Sequence, residues 1–484
     1  FYDGEHFFNA AVKAHQADIG NSLPTTYMAQ AGDVYEEGAL IFPAVKVQDD
    51  YEDVADVIRM CERRIRVPQQ WRGDYMAAVG AARIGERSLK AFVEKYGKET
   101  VRAFIREWFD YSERRCIEAI KKLPKGQLEE SQSHDPIEPW VPEGIPVNVK
   151  IDIDPDEAMV TVDLRDNIDC VDAGLNLTES TSTMAAAQGV LTCLGEDLPP
   201  NSGTLRRIRV LLRENCVVGI PRFPHSCSVA TTNLTDVIVN VTQSAFAELE
   251  EGLGFAHGNY CNSAAAGVAS GKDWRRDGEV YINQMFMMGG GGPASAEHDG
   301  MHYLFIPVAA GLLYRDSIEI NEQRFPVLVQ HMKISTDSMG HGRRRGGPAT
   351  EVVMGPRQDS MKILHVCNGL ESAPKGVRGG TGAKLGGNVR IAKDGSEHRY
   401  PAVMVCDLDA GDLLRARDQG GGGYGPPLER EPERVLIDVA ERYVSAETAR
   451  SVYGVVIKGD VANDSLEVDW PATGAARAEL SRAL

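Results

Sequence analysis

Val147-Asn-Val-Lys-Ile-Asp-Ile-Asp154 and Met159-Val-Thr-Val-Asp-Leu164 alternate apolar and polar side chains across a short turn. Period-two alternation puts every second side chain on one face, so the pair predicts a β-hairpin with one buried side. Upstream the period differs. From about Asp50 to Lys122 apolar residues recur at helical spacing: Val54, Val57, Ile58 and Cys61, then Met76, Val79, Ile84 and Leu89 after Pro68. A third run, Lys98 to Lys122, carries Val101, Phe104, Ile105, Trp108 and Phe109, a stripe that reads as core packing, and Pro124-Lys-Gly126 ends it. Between helices and hairpin, Gln127 to Pro146 is polar and holds Pro136, Pro139, Pro142 and Pro146, the composition of a linker.

Downstream of the hairpin, Gly174 to Leu194 and Thr235 to Leu249 predict buried helices, and Arg207 to Leu212 and Val217 to Ile220 predict strands. Beyond residue 260 glycine dominates. Gly289 to Gly292, Arg343-Arg-Arg-Gly-Gly347 and Gly420 to Gly423 read as loops and tight β-turns. They separate short β-rich runs at Val327–Met332, Glu351–Met354 and Val403–Cys406, and Val435 to Ile457 adds a closing helix and strand. The fold class is α+β and multidomain, with a helical segment near the N-terminus, a mixed α/β middle and a β-rich, Gly-rich C-terminal module. The expected divisions are residues 1–50, 51–126, 147–300 and 301–484.

The chain has 484 residues, enough for several cores, and its net charge of −18 disfavours nonspecific binding to nucleic acid or anionic membrane. It has no apolar run long enough to span a bilayer. Nine scattered cysteines without Cys-x-x-Cys suit reduced thiols in a cytoplasm and argue against a zinc ribbon. The first residue is Phe1, and Phe1-Tyr-Asp-Gly-Glu5 reads as a turn between strands, with residues 6–14 as a buried strand, so the N-terminus is expected to be cut.

The candidate chemistry begins at His15-Gln-Ala-Asp18-Ile-Gly-Asn-Ser-Leu-Pro24. An imidazole and a carboxylate stand beside Gly, Asn and Pro, which favour an irregular turn. Two readings are open: a local hydrogen-bonded pair, or a metal-competent site. Two further polar clusters are Pro224-His-Ser-Cys227 with Thr231-Thr-Asn233, and His298-Asp-Gly-Met-His302. Asp337-Ser-Met-Gly-His-Gly342 lacks the strand–Ser–helix setting of a nucleophile elbow, and Arg343 to Arg345 read as anchors for carboxylates at an interface. No Walker loop or dinucleotide fingerprint is present: Gly271-Lys-Asp273 lacks the first glycine and the hydroxyl, and Gly379 to Lys384 has the wrong order. No catalytic residue is assigned.

Five motifs in order carry a resemblance: His15-Gln-Ala-Asp-Ile-Gly-Asn21, Glu36-Glu-Gly-Ala-Leu-Ile-Phe-Pro43, Asp337 to Gly346, Gly423-Tyr-Gly-Pro-Pro-Leu-Glu-Arg430, and Val435 to Val456. The chain resembles the hydantoinase B/oxoprolinase family almost end to end. That family includes B subunits of ATP-dependent hydantoinases and caprolactamase, the C-terminal half of 5-oxoprolinase, and large subunits of acetone and acetophenone carboxylases. The resemblance implies that a hydantoinase A-type partner with an actin-like ATPase fold binds ATP and Mg²⁺, and that the B-type chain holds a divalent metal (Zn, Mn or Fe). His15 matches a family ligand and Asp18 is then a ligand or its orienting partner, while the other family ligands would fall before Phe1. Asn21 stands where hydantoinases have a second glycine, and with Pro24-Thr-Thr-Tyr27 and Val34 to Pro43 it points to the ketone carboxylase branch. The expectation is the metal-binding subunit of a cytoplasmic, hetero-oligomeric ATP-dependent ketone carboxylase using bicarbonate. The alternative is a subunit of an ATP-dependent cyclic amidohydrolase, and a third reading is a metal-free scaffold.

Overall fold

A computed structural model describes residues 1–195, 197–260, 262–305, 315–463 and 465–483. The predicted hairpin is present. Strands β1 (Gly126–His134), β2 (Ile145–Asp154), β3 (Met159–Asp163) and β4 (Ile208–Leu211) form one sheet in that order, antiparallel except for the β3–β4 pair. Ile145, Val147, Val149, Ile151 and Ile153 on β2 all point into the core. Helices α4 (Glu179–Cys193) and α5 (Ala230–Leu249) cover that face, and every residue of α5 from Asn233 to Ala247 is buried. The two helices approach closely at Gly189, where a Cβ would lie 2.6 Å from the Thr242 Cβ. Ahead of the sheet run α1 (Ala55–Arg64), α2 (Pro68–Tyr96) and α3 (Lys98–Ile120), with Pro68 opening α2 and Gly97 ending it at a positive φ.

The β-rich module is two sheets packed face to face. Define β5 (Val268–Asp273), β6 (Glu279–Gln284), β7 (Val327–Ile334), β8 (Thr350–Pro356), β9 (Met361–Val366), β10 (Gly387–Ile391), β11 (Glu397–Tyr400), β12 (Val403–Leu408) and β13 (Leu413–Arg417). One sheet runs β12-β9-β5-β6 and the other β11-β10-β13-β8-β7. Ala269, Met361, Ile363, Met404, Cys406 and Leu408 of the first meet Val352, Met354, Leu414 and Ala416 of the second in one apolar cluster. Helices α6 (Pro432–Ala440), α7 (Ala446–Ser451) and α8 (Trp470–Ala483) follow, and Val435, Val439, Val444 and Tyr453 seal a smaller core with Met339. Among the described residues no helix is long and apolar enough to cross a membrane.

Several expectations fail for local reasons. Residues 6–14 form no strand; Phe7 lies against Lys98 and Arg102, and Glu5 pairs with the same two cations, so the segment lies along α3. The first half of the expected linker is β1, an edge strand whose polar side chains face solvent, and Val217 to Ile220 is a turn. The stripe on α3 is core only at Val101. Phe104 and Trp108 are 55% and 42% exposed and stack on each other at 6.2 Å, whereas Val101, Cys116 and Ile120 are the buried side.

The glycine runs are not tight turns either. Gly289 to Gly292, Gly346-Gly347 and Gly420 to Gly423 all lack positive φ and lie side by side as extended backbone. Gly347 N donates to Gly292 O at 2.9 Å, Gly421 N to Gly347 O at 2.9 Å and Gly340 N to Gly421 O at 2.7 Å. A Cβ on Gly421 would lie 1.8 Å from Gly292 O, and one on Gly291 1.9 Å from Gly347 O. Glycine is required here because backbone packs directly on backbone.

Candidate functional site

The turn at His15 is held by two separate sets of contacts. The His15 imidazole stacks on Tyr27 (5.7 Å, 26°), and its Nε2 lies 2.9 Å from Thr26 Oγ1. Burial, with Lys13 nearby, holds His15 below its ordinary pKa, so the ring is neutral at pH 7. Asp18 faces elsewhere. Its fully buried carboxylate accepts from Gly20 N (3.1 Å), Arg66 N (2.6 Å) and Arg66 Nη1 (3.0 Å). Arg66 also donates to Asn21 O at 2.7 Å, so this ion pair clamps the turn to the chain entering α2. The local His15–Asp18 hydrogen bond is therefore replaced by two different partnerships.

Beyond Thr26 the chain docks on the first of the polar clusters. Val34 N donates to Pro224 O (3.0 Å), Ser226 N to Gly32 O (3.0 Å), Ser226 Oγ to Glu37 (2.8 Å) and Ser228 Oγ to Thr26 O (3.3 Å). Deeper in this cluster, Asn233 Nδ2 lies 2.8 Å from His134 Nε2. The other nitrogen, Nδ1, is 2.8 Å from Asp135 O and must donate, so Nε2 accepts from the amide.

Tyr27 links His15 to the β module. Its hydroxyl accepts from Gln284 at the end of β6, and its ring meets His365 of β9 edge-on at 5.7 Å. His365 Nε2 sits 2.7 Å from Asn262 O, which fixes the proton on Nε2 and leaves a lone pair on Nδ1. Burial pushes His365 down to about 4. Among the described residues Nδ1 has no hydrogen-bond partner, and neither amide atom of the Asn21 side chain has one. His365 and Gln284 were missed in the sequence; the only signal was a lone imidazole inside the apolar run Ile363-Leu-His-Val366.

The second cluster, around His298 to His302, and the Arg343 to Arg345 turn come together instead with the C-terminal helices. Asp299 accepts from both Arg430 terminal nitrogens (2.7 and 2.9 Å), and Asp438 accepts from Arg345 Nε (2.7 Å) and Arg430 Nε (2.9 Å). Arg430 is 1% exposed. His302 lies edge-on to Tyr443 at 4.5 Å, and His341 Nδ1 is 2.9 Å from the Tyr453 hydroxyl. Arg343 reaches Glu251 and Glu429. Arg343 and Arg345 thus anchor carboxylates of this same chain, whereas Arg344 Nε has no hydrogen-bond partner among the described residues.

The implied divalent metal fits these residues poorly. Three donated hydrogen bonds and a guanidinium occupy Asp18, and among the described residues no three His, Cys, Asp or Glu side chains converge as a metal-holding group. His15 can offer one nitrogen.

Residues 1–427 match the model of the hydantoinase B/oxoprolinase family. The chain is 28% identical over 490 residues to the caprolactamase subunit beta of Pseudomonas jessenii, covering 99% of this chain and 81% of that one. The crystal structure of the ATP-dependent caprolactamase from that organism superposes with a TM-score of 0.81 at 25% identity, over 96% of this chain and 79% of that one. A nucleotide-free acetone carboxylase structure shares the fold, with a TM-score of 0.80 at 18% identity over 97% and 67% of the two chains.

Proposed function

The chain belongs to the hydantoinase B/oxoprolinase family, and from that premise we propose that it is a subunit of an ATP-dependent cyclic amidohydrolase. The observation that carries this reading is the end-to-end identity with caprolactamase subunit beta, 28% over 99% of the chain. It outweighs the ketone carboxylase reading, which rests on Asn21, Pro24 to Tyr27 and Val34 to Pro43. In the structure Asn21 uses its backbone carbonyl, which accepts from Arg66 and which any residue offers, while Thr26 Oγ1 lies 2.9 Å from His15 Nε2 and the Thr26 carbonyl accepts from Ser228.

The reaction opens a lactam-type ring: one water supplies the new carboxylate oxygen as the C–N bond breaks and the nitrogen leaves as an amine, and a second is consumed as ATP becomes ADP and phosphate. ATP and Mg²⁺ are bound by an actin-like ATPase partner of hydantoinase A type. Family membership and the missing phosphate loop support this division of labour. His15 supplies a neutral imidazole, Tyr27 fixes its plane by stacking, and the Thr26 hydroxyl restrains Nε2. Of the two metal donors expected, His15 is kept as one donor and Asp18 is assigned to the turn. The eight described cysteines are free, in keeping with the reducing cytoplasm proposed for the complex.

The test is turnover by the chain assembled with its ATPase subunit, offered caprolactam, hydantoin or 5-oxoproline in one series and acetone with labelled bicarbonate in another. Ring opening coupled to ADP release is expected. Fixation of label into acetone, with every ring left intact, would overturn the proposal.

A further inference from the structure

A cleft of ≈ 510 Å³ lies between the start of α2 and the β5–β6 edge of the sandwich. That volume is of the size that holds a small organic molecule. Its wall is partly apolar: Pro68, Val280 and Phe325 line it. Its charge is the informative feature. Arg66, Arg276 and Arg324 all line it, in a chain whose net charge is −18.

The charges do not cancel within the cleft. Arg66 is held by Asp18. Asp273 is chelated by Arg275, which contacts its two oxygens at 2.9 and 2.8 Å. Arg276 and Arg324 make no hydrogen bond or ion pair among the described residues. Glu279 opposes them, and the Arg276 charge also acts on Asp273. The second, independent observation is Tyr281. It lines the same cleft, is 8% exposed, and its buried hydroxyl has no hydrogen-bond partner among the described residues. Burial pushes its pKa up, so it is an O–H donor at neutral pH. A buried hydroxyl without a partner costs stability that a bound acceptor restores.

We propose that this cleft binds a small molecule with an oxyanion head, carboxylate or phosphate, and an apolar body. The head lies between the Arg276 and Arg324 guanidiniums, which donate in the fork geometry that oxyanions accept, and receives the Tyr281 hydroxyl. The body lies on Pro68, Val280 and Phe325. The site is separate from the His15–Tyr27–His365 stack, and Arg66 on its wall is the guanidinium that Asp18 holds.

The experiment uses the full chain without ATP or turnover, so it stands or falls apart from the amidohydrolase reading. Calorimetric titrations compare hexanoate, hexyl phosphate and the uncharged control hexanol. Both anions are expected to bind at least about tenfold more tightly than hexanol. If only one of them does, the head is that oxyanion. R276A/R324A should weaken binding about tenfold or more, and Tyr281→Phe, which keeps the ring and its packing, should weaken it several-fold. Arg209→Ala, at an exposed arginine on β4, should change nothing. The proposal is overturned if hexanol binds as well as the anions, if the double variant binds them unchanged, or if neither anion binds.

Discussion

Two polar regions of this chain are built on opposite rules. Around Arg430 every buried charge meets its opposite: Asp299 and Asp438 bridge Arg345 and Arg430, and Tyr443 packs on Arg345. Around His15 one ion pair, Asp18 with Arg66, closes the turn, but the groups stacked with the ring are neutral and several polar atoms are incompletely partnered, with His365 Nδ1 and the Asn21 amide lacking partners among the described residues. A satisfied ion network rigidifies and joins elements distant in sequence. Incompletely partnered polar atoms cost stability, and a site retains them because a ligand completes the set. Both regions were marked as polar clusters in the sequence, and only partnership separates structure from function.

The largest expected effect is that of pH, because both regions keep their imidazoles uncharged. Burial pushes His341 of the first region and His365 of the second down to about 4, and His257, a third buried ring held by Ser244 and Tyr260, down to about 3. In the unfolded chain each titrates near 6.5. The folded values lie below the unfolded one, so the unfolded state binds protons that the folded state refuses. Their stabilisation is complete above about 6.5 and is lost as pH falls toward 4, by up to about 1.4 kcal/mol per unit for each ring. Urea midpoints should hold from pH 7.5 to about 6.5 and fall steadily from there to about 4.5; a midpoint that is flat or rises toward pH 5 contradicts the burial of these rings.

Asp438→Ala tests the network itself. It leaves Arg345 and Arg430, whose side chains are 8% and 1% exposed, without their shared carboxylate. Breaking a buried pair from one side costs about 3–5 kcal/mol. Chemical denaturation should show that loss. A loss below about 1 kcal/mol would mean that water or Asp299 alone holds the arginines.

The comparison sharpens at the His15 turn, where the two neighbouring candidates now part. His15→Ala should lower turnover of the assembled enzyme about 100-fold or more, the scale of a lost acid–base or donor imidazole, with little change in stability. Asp18→Asn should do the reverse, costing about 1–3 kcal/mol through the weakened Arg66 clamp while leaving turnover within about tenfold. Equal activity losses in the two variants would return Asp18 to the reactive site.

What the sequence revealed follows from the range of the forces involved. The β2–β3 hairpin and α5 were legible because burial there follows a local period. β1 was not: Gln127-Leu-Glu-Glu-Ser-Gln-Ser-His134 is an edge strand whose exposed face makes it read as a linker. The glycine runs were visible, yet their purpose lies in what they touch, Gly421 against Gly292 and Gly347, and no local pattern encodes that approach. At the site, the motif points to His15, while Tyr27 joins it only through stacking and His365 and Gln284 arrive from distant strands.

The smallest effect is expected where the sequence misled most. The α3 stripe has core periodicity, and a buried Phe replaced by a small residue typically costs about 3–5 kcal/mol. In the structure Phe104 is 55% exposed and rests on Trp108, which is itself 42% exposed, so most of its surface already faces water. Phe104→Ser should therefore shift unfolding of the isolated chain by no more than about 0.5 kcal/mol, in the range of ordinary surface changes. Helix propensity cannot disguise the result, because Ser and Phe are close on that scale. The same substitution at Phe246, fully buried on α5, is the internal standard. If the two variants lose equal stability, the outward face of α3 packs against the chain in solution, and periodicity was the better guide there.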